Sequence, residues 1–193
     1  MTVRLHRQLT REAVTQELPE LFAREVRMIV RGNAAVDHQV LFRYRREYHV
    51  DRIPFAPHAD AWEMGQLVIA EREARIQQYA ALGSMRKAYR HIGALLHTVQ
   101  DLFSHSNFRN LNAEQQEECV SAFIGRKPIP QGFTICSYSL VGNLLPPGRR
   151  DPFNHAANHA DLAPEPVYSG ALDASRRILR EIRKYLMKES MID

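Results

Sequence analysis

Three side chains of metal-binding type stand four residues apart in the middle of the chain: His97, Asp101 and His105. Four residues advance an α-helix by about 400°, so these groups would form one slowly drifting stripe on a helix. The residues between them are largely apolar, which predicts a helix buried on one side. A metal ion is the simplest common partner for the stripe, and three separate hydrogen-bond partners are the alternative. The pair His97 and Asp101 alone would equally fit a hydrogen bond between the two side chains.

A second pair with helical spacing, His155 and His159, lies in a stretch otherwise made mainly of Ala and Asn. It follows a cluster of prolines and glycine, where a solvent-exposed polar turn is expected. The residues by themselves favour that turn, and a metal-ligand pair is the alternative.

The amino-acid composition limits the classes of protein to which the chain can belong. The chain has 193 residues, 45% of them hydrophobic, which is enough for the core of one domain. The net charge of +4 permits an anionic partner, but the charge is spread along the chain, and no basic stripe with interleaved aromatics indicates a nucleic-acid track. Cys119 and Cys136 fit no CxxC pattern, so we expect free thiols.

No apolar run has the length of a signal peptide or of a membrane span. We therefore expect a product that is cytoplasmic as synthesised, and any export would use a route that needs no cleavable signal.

Apolar periodicity predicts an all-α fold: a single compact multi-helix domain over residues 1–193, with long loops and little or no β structure. Residues 1–10 are expected to be a flexible lead-in. Residues 11–33 predict a helix in two pieces or one that begins at Pro19, with a continuation through Asp37. Further helices are predicted at 60–82, 85–106, 114–124 and 169–188, a loop at 53–58 and a short extended segment at 133–141.

Three stretches carry a resemblance to a known family: Glu47–Asp51 (EYHVD), Leu95–Asn107 (LLHTVQDLFSHSN) and His155–Asp161 (HAANHAD). They resemble motifs of the zinc-dependent phospholipase C superfamily and its relatives, the zinc-dependent single-strand nucleases. The similarity is closer to the branch of the fungal heterokaryon-incompatibility C protein. It spans the chain from about Asn33 to the C-terminus.

The resemblance implies a helical phospholipase C-like domain with two zinc ions. One ion would be bound by Asp37, His49, His97 and Asp101, and the second by His105 together with His155 and His159. Asp161 could replace His159 in the second set. The superfamily binds a third zinc partly through a processed N-terminal tryptophan, which this chain lacks. His6 is the candidate substitute ligand, although we favour an ordinary exposed histidine at that position.

The chemistry implied is attack of a zinc-activated water on a phosphodiester, with Asp37 or Asp101 orienting that water or accepting its proton. Asp51 is expected to hold His49 through a hydrogen bond. A phospholipid headgroup is the favoured substrate, with peripheral membrane contact; a single-stranded nucleic acid or an inactive metal-binding module are the alternatives. Substrate-binding residues are not assigned. Candidates to contact the substrate, each of which could instead be core or solvated loop, are Tyr48, Phe55, Trp62, Phe108, Tyr138, Arg149 and Arg150.

Overall fold

The structure, a computed structural model, describes residues 1–38, 46–137, 151–153 and 165–189. Within these residues the chain is all-α, as predicted, and no strand is formed. None of the described helices combines the length and the apolarity that a bilayer span requires. The helices are α1 (Val3–Glu17), α2 (Ala23–His38), α3 (Arg46–His49), α4 (His58–Ala81), α5 (Met85–Ser104), a 3-10 helix (Phe108–Asn110), α6 (Ala113–Ile124) and α7 (Val167–Glu189).

Helix α5 is the centre of the fold. Every residue from Ile92 to Ser104 is buried, and α1, α2, α4 and α7 pack around this segment. The expectation that the helix is buried on one side only is therefore wrong. Its apolar residues cover more than one face, so several neighbouring helices can pack against it.

The N-terminal residues belong to the core. The expected lead-in at residues 1–10 is wrong, because α1 begins at Val3 after a cap by the Thr2 side chain. Leu9 and Val14 are fully buried in the main hydrophobic core. Pro19 falls in the break between α1 and α2, so the alternative of two helical pieces is correct.

Two isolated β-bridges lie near the C-terminal end of α5. The expected extended segment at 133–141 contributes isolated bridges, Ile135 to Ser106 and Ser137 to Arg52, and residues 138–141 lie outside the described residues.

Helix α6 starts with a capping box of Asn112 and Gln115 and ends at Gly125, close to the predicted bounds. Cys119 and Cys136 are buried free thiols, as predicted.

Glycines allow α2 and α5 to approach each other closely. A Cβ atom at Gly32 would lie 2.5 Å from the carbonyl oxygen of Arg90, and one at Gly93 would overlap the carbonyl oxygen of Ile29. Backbone atoms cannot rotate away as the end of a side chain can. The two glycines therefore set the distance between the helices that carry Asp37 and His97.

We expect Gly93→Ala to lower the free energy of unfolding by about 1–3 kcal/mol or more, because the new methyl group must push α2 away. Chemical denaturation followed by circular dichroism measures this. Gly65→Ala is the matched control: it is also in a helix, and its Cβ would meet side-chain atoms of Val50 and Phe123 at 3.2 Å, which can shift. Equal stabilities of the two variants would contradict the close approach.

Candidate metal centre

The Asp101 carboxylate lies between two sets of imidazole nitrogens. Its Oδ2 atom is 2.8 Å from His49 Nδ1 and 3.0 Å from His97 Nε2. Its Oδ1 atom is 3.0 Å from His6 Nε2 and 3.6 Å from His105 Nε2. All five residues are buried. A carboxylate with a different histidine pair at each oxygen has the arrangement of a bridging metal ligand.

Four helices bring these side chains together. His97 and Asp101 are one turn apart on α5, and His105 follows directly at its C-terminal end. His49 is the last residue of α3, and His6 lies in the first half of α1. Asp37, near the end of α2, brings its Oδ1 atom to 3.7 Å from His97 Nε2 and is 24% exposed.

The spacing on the Oδ2 side suits a single ion. Asp101 Oδ2, His49 Nδ1 and His97 Nε2 form a triangle, because the two ring nitrogens are 3.2 Å apart. Ligand atoms around a tetrahedral zinc stand about 3.3 Å apart, given bonds of about 2.0 Å. The triangle, and the set of His6, Asp37 and His97, each have ligand atoms close enough to share a metal ion.

Hydrogen bonds fix which nitrogen of two histidines faces Asp101. His6 Nδ1 donates to Gln100 Oε1 at 2.8 Å, and His105 Nδ1 donates to the His49 carbonyl oxygen at 2.9 Å. Because both acceptors are oxygens, each Nδ1 carries the proton and each Nε2 presents a lone pair to the carboxylate. A metal-bound histidine is oriented in this way, through a hydrogen bond from its other nitrogen.

Several buried polar atoms of the centre have no hydrogen-bond partner among the described residues. They include His6 Nε2, His49 Nε2, His97 Nδ1 and Asp37 Oδ2. His6 Nε2 is close to Asp101 but forms no hydrogen bond with it, because two atoms that carry lone pairs face each other. Unsatisfied buried atoms are costly in a folded protein, and a cation beside Asp101 would satisfy His6 Nε2, the one of these atoms that faces the carboxylate.

The electrostatics of His97, His105 and Asp101 favour the protonation states that bind metals, whereas those of His49 favour its protonated form. Burial lowers the pKa of His97 to about 4 and that of His105 to about 3, although the charge of Asp101 acts in the opposite direction. Burial acts to raise the pKa of Asp101, but the nearby histidines, led by His105, hold it well below its ordinary value. For His49, burial acts to lower the pKa, and the hydrogen bond and charge of Asp101 outweigh it and raise the pKa. Neutral His97 and His105 beside an ionised carboxylate are ready to coordinate.

The amino group of Met1 also reaches the centre. It lies 3.2 Å from Ser104 Oγ and 3.8 Å from Asp101 Oδ1, and Met1 is buried.

Comparison with known families gives a match over the residues that build this centre. The sequence model of the VWA7 N-terminal domain family matches residues 5–122, which is more than half of the chain. The chain belongs to the VWA7 N-terminal domain family. No curated protein and no solved structure matches it. The VWA7 N-terminal domain match includes His6, Asp37, His49 and all of α5, whereas α7 follows the matched region.

Some predicted site residues cannot be placed in this VWA7 N-terminal domain. His155, His159 and Asp161 lie outside the described residues, and so do Tyr138, Arg149 and Arg150. The ligand set predicted for a second zinc ion therefore stays a prediction. His105, its third member, lies on the Oδ1 side of Asp101 together with His6.

Other predicted residues are placed differently from expectation. The favoured exposed histidine at position 6 is wrong, because docking of α1 against α5 leaves His6 completely buried, with its ring stacked on His97 at 4.2 Å. Asp51, expected to hold His49, brings its Oδ1 to 3.0 Å from His105 Nδ1. Trp62 and Phe108 are core residues, Tyr48 is buried and Phe55 is 70% exposed.

Sequence reasoning missed the network that orients His6. Gln100 Oε1 accepts from both His6 and Asn33, and Gln100 Nε2 donates to Thr10 and Ser175. Gln100 is fully buried and links α1, α2, α5 and α7. The sequence signal that could have identified it is its position between two candidate ligands, three residues after His97 and one before Asp101.

A buried ion pair holds the loop that follows His49. Arg52 donates through Nη2 to both oxygens of Asp151 at 2.9 and 2.8 Å, and through Nε to the carbonyl oxygen of Ile135. Asp151 also accepts from the Phe55 amide at 2.7 Å. These bonds tie residues 52–56 to residues 135 and 151, close to Asp51 and His105.

Removing the charge of Asp151 should destabilise the protein strongly. We expect Asp151→Asn to lower the free energy of unfolding by about 3–5 kcal/mol, because Arg52 would remain buried without its counter-ion. Glu20→Gln is the control: it removes the exposed partner of Arg183 and should cost below about 1 kcal/mol. Urea denaturation of both variants measures the difference, and comparable losses would argue against a structural role for the pair.

Substitutions at the centre should remove bound metal. We expect protein purified without chelator to contain a divalent metal, and His97→Gln and Asp101→Asn to lose it, because each withdraws a ligand atom from the Oδ2 triangle. Elemental analysis of the purified proteins measures this. His58→Gln is the control, since His58 bonds to Ile135 outside the centre and should leave the metal content unchanged. His6→Gln should lower the metal content as well, and the same content in all variants would refute the centre.

Proposed function

We propose that this chain is a metal-dependent phosphodiesterase that acts on phospholipid headgroups, with zinc as its ion. The proposal rests on one observation: the Asp101 carboxylate presents its oxygens to two separate sets of imidazole nitrogens. The donor set of histidines and carboxylates is the one that zinc hydrolases use. The resemblance of Leu95–Asn107 to the phospholipase C motif supports the same chemistry.

Zinc held there would act as a Lewis acid and make a bound water acidic enough to provide a nucleophile near neutral pH. The protein would supply the orientation. Gln100 holds His6, and the His49 carbonyl holds His105, so the ring nitrogens stay directed at Asp101. Asp101 is itself 2% exposed, which suits a positioning role better than a proton-transfer role.

Asp37 is the candidate general base. It is the most exposed carboxylate of the centre, and its Oδ2 atom has no hydrogen-bond partner among the described residues. A carboxylate in that position can accept the proton of an attacking water and pass it to solvent. A nucleophilic serine or cysteine is not needed, and Cys136, whose pKa burial raises to about 12, is a poor nucleophile.

Exposed apolar side chains near the centre support a lipid substrate. Ile53 and Phe55 follow Asp51 on the same loop and are 55% and 70% exposed. Such side chains can enter the interfacial region of a bilayer while the loop stays fixed by Arg52 and Asp151. We therefore propose peripheral contact with the membrane at this loop.

The test is release of headgroups from phosphatidylcholine and phosphatidylethanolamine vesicles by zinc-loaded protein. We expect turnover that a chelator abolishes, that Asp101→Asn eliminates, and that Asp37→Asn lowers by roughly 100-fold or more through loss of the base. His58→Gln should retain activity.

Three other results would point elsewhere. Metal-dependent cleavage of single-stranded DNA or RNA without phospholipid turnover would identify a nuclease instead. A tightly bound metal with no hydrolysis of any phosphodiester would indicate an inactive metal-binding module. The absence of any bound divalent metal would refute the proposal.

A further inference from the structure

A second concave site lies between α2, α4 and α5. It is a cavity of about 750 Å³, within the size range of small-molecule sites. Its lining includes small and apolar residues, among them Gly32, Val36 and Ala94. Six arginines from the three helices surround it: Arg24, Arg27, Arg31, Arg72, Arg86 and Arg90. We call this site the arginine groove.

The positive charge of the arginine groove is not compensated within the described part of the chain. None of its six arginines forms an ion pair with a described carboxylate. The arginines of α7 behave differently, since Arg176, Arg177, Arg180 and Arg183 each pair with Asp or Glu. Clustered arginines without counter-ions repel one another, so an anion bound between them would be stabilising.

His91 lines the groove, and its pKa reflects the positive potential there. Burial, together with the charges of Arg72 and Arg75, lowers its pKa to about 4. Its Nδ1 atom accepts a hydrogen bond from Arg72 at 3.1 Å, and Arg72 also lies over the Tyr48 ring. Arg72 is thereby held in place with its positive charge intact.

The composition of the groove indicates its ligand. All six cations are arginines, whose planar forks bind phosphate oxygens in pairs. The described lining has no Phe, Tyr or Trp, and its one aromatic ring, that of His91, already accepts a hydrogen bond from Arg72, so a run of several stacked bases is disfavoured. A cavity whose cations come from three helices fits a compact anion better than an extended strand.

We propose that the arginine groove binds a compact ligand that carries several phosphate groups, such as an inositol polyphosphate, either free in solution or as the headgroup of a lipid. This site is separate from the metal centre, and its occupancy does not require the phosphodiesterase activity proposed above. Binding is therefore tested on metal-free protein.

Isothermal titration calorimetry with inositol hexakisphosphate tests the proposal. We expect saturable binding at one site, weakened about tenfold or more in Arg27→Gln/Arg31→Gln through loss of two charge-assisted contacts. The matched control is Arg177→Gln/Arg183→Gln, which removes the same charge from α7 and should bind as wild type does. Arg24→Gln/Arg86→Gln provides an independent second pair, and melting curves verify that each variant is folded.

Vesicles with and without a bisphosphorylated inositol lipid distinguish the two sources of the ligand. If the protein binds these vesicles and inositol hexakisphosphate displaces it from them, the ligand is the headgroup of a lipid. If the protein binds only the free compound, the ligand is a soluble polyphosphate. The proposal is overturned if wild type does not bind inositol hexakisphosphate, if the α7 control loses as much affinity as the groove variant, or if a single-stranded oligonucleotide binds more tightly and remains bound in its presence.

Discussion

The fold depends on burying one carboxylate, that of Asp101, at the centre of a helical domain. Taking an ion of this kind out of water costs several kcal/mol unless partners compensate it. Among the described residues Asp101 has no Lys or Arg partner; it faces four histidines and the Met1 amino group. Because burial keeps His97 and His105 largely neutral, protonated imidazole is an incomplete counter-ion. A metal cation would complete the compensation, and it would also satisfy the lone pairs that face the carboxylate.

A second constraint is the contact between α2 and α5. Gly32 and Gly93 let these helices approach to backbone contact, and the same approach sets the positions of two different features. Towards the C-terminal ends of the two helices, the close approach brings Asp37 near His97. About two turns closer to their N-terminal ends, a cavity lined by Arg31 and Arg90 lies between the helices. A change in helix separation would therefore disturb both the candidate metal centre and the arginine groove.

Local signals in the sequence predicted most of the helices and part of the candidate site. Apolar periodicity located most helices, and the four-residue spacing of His97, Asp101 and His105 identified the segment on which the centre is built. The prediction that His6 is exposed was wrong, because its burial follows from how α1 packs against α5, and no local pattern in the sequence encodes that packing. The arginine groove was missed for a related reason: its arginines are spread over three helices, and in the sequence they appear as dispersed charge. Asp37 and His49 were found through the family resemblance, since their own neighbourhoods carry little signal.

The two sites on α2 and α5 have opposite electrostatic character, and this gives them different requirements. At one end the ionised Asp101, with Asp37 beside it, would repel a phosphate until cations occupy the space between the histidines. At the other end six arginines form no ion pair with a described carboxylate, so the phosphate binding proposed there would need no metal. Arg31 lies six residues before Asp37 on α2, about 9 Å along the helix axis, so the change from positive to negative character occurs within two helical turns. The proposed phosphate site would thus be filled on metal-free protein, whereas the approach of a phosphate to the histidine cluster would require bound cations first.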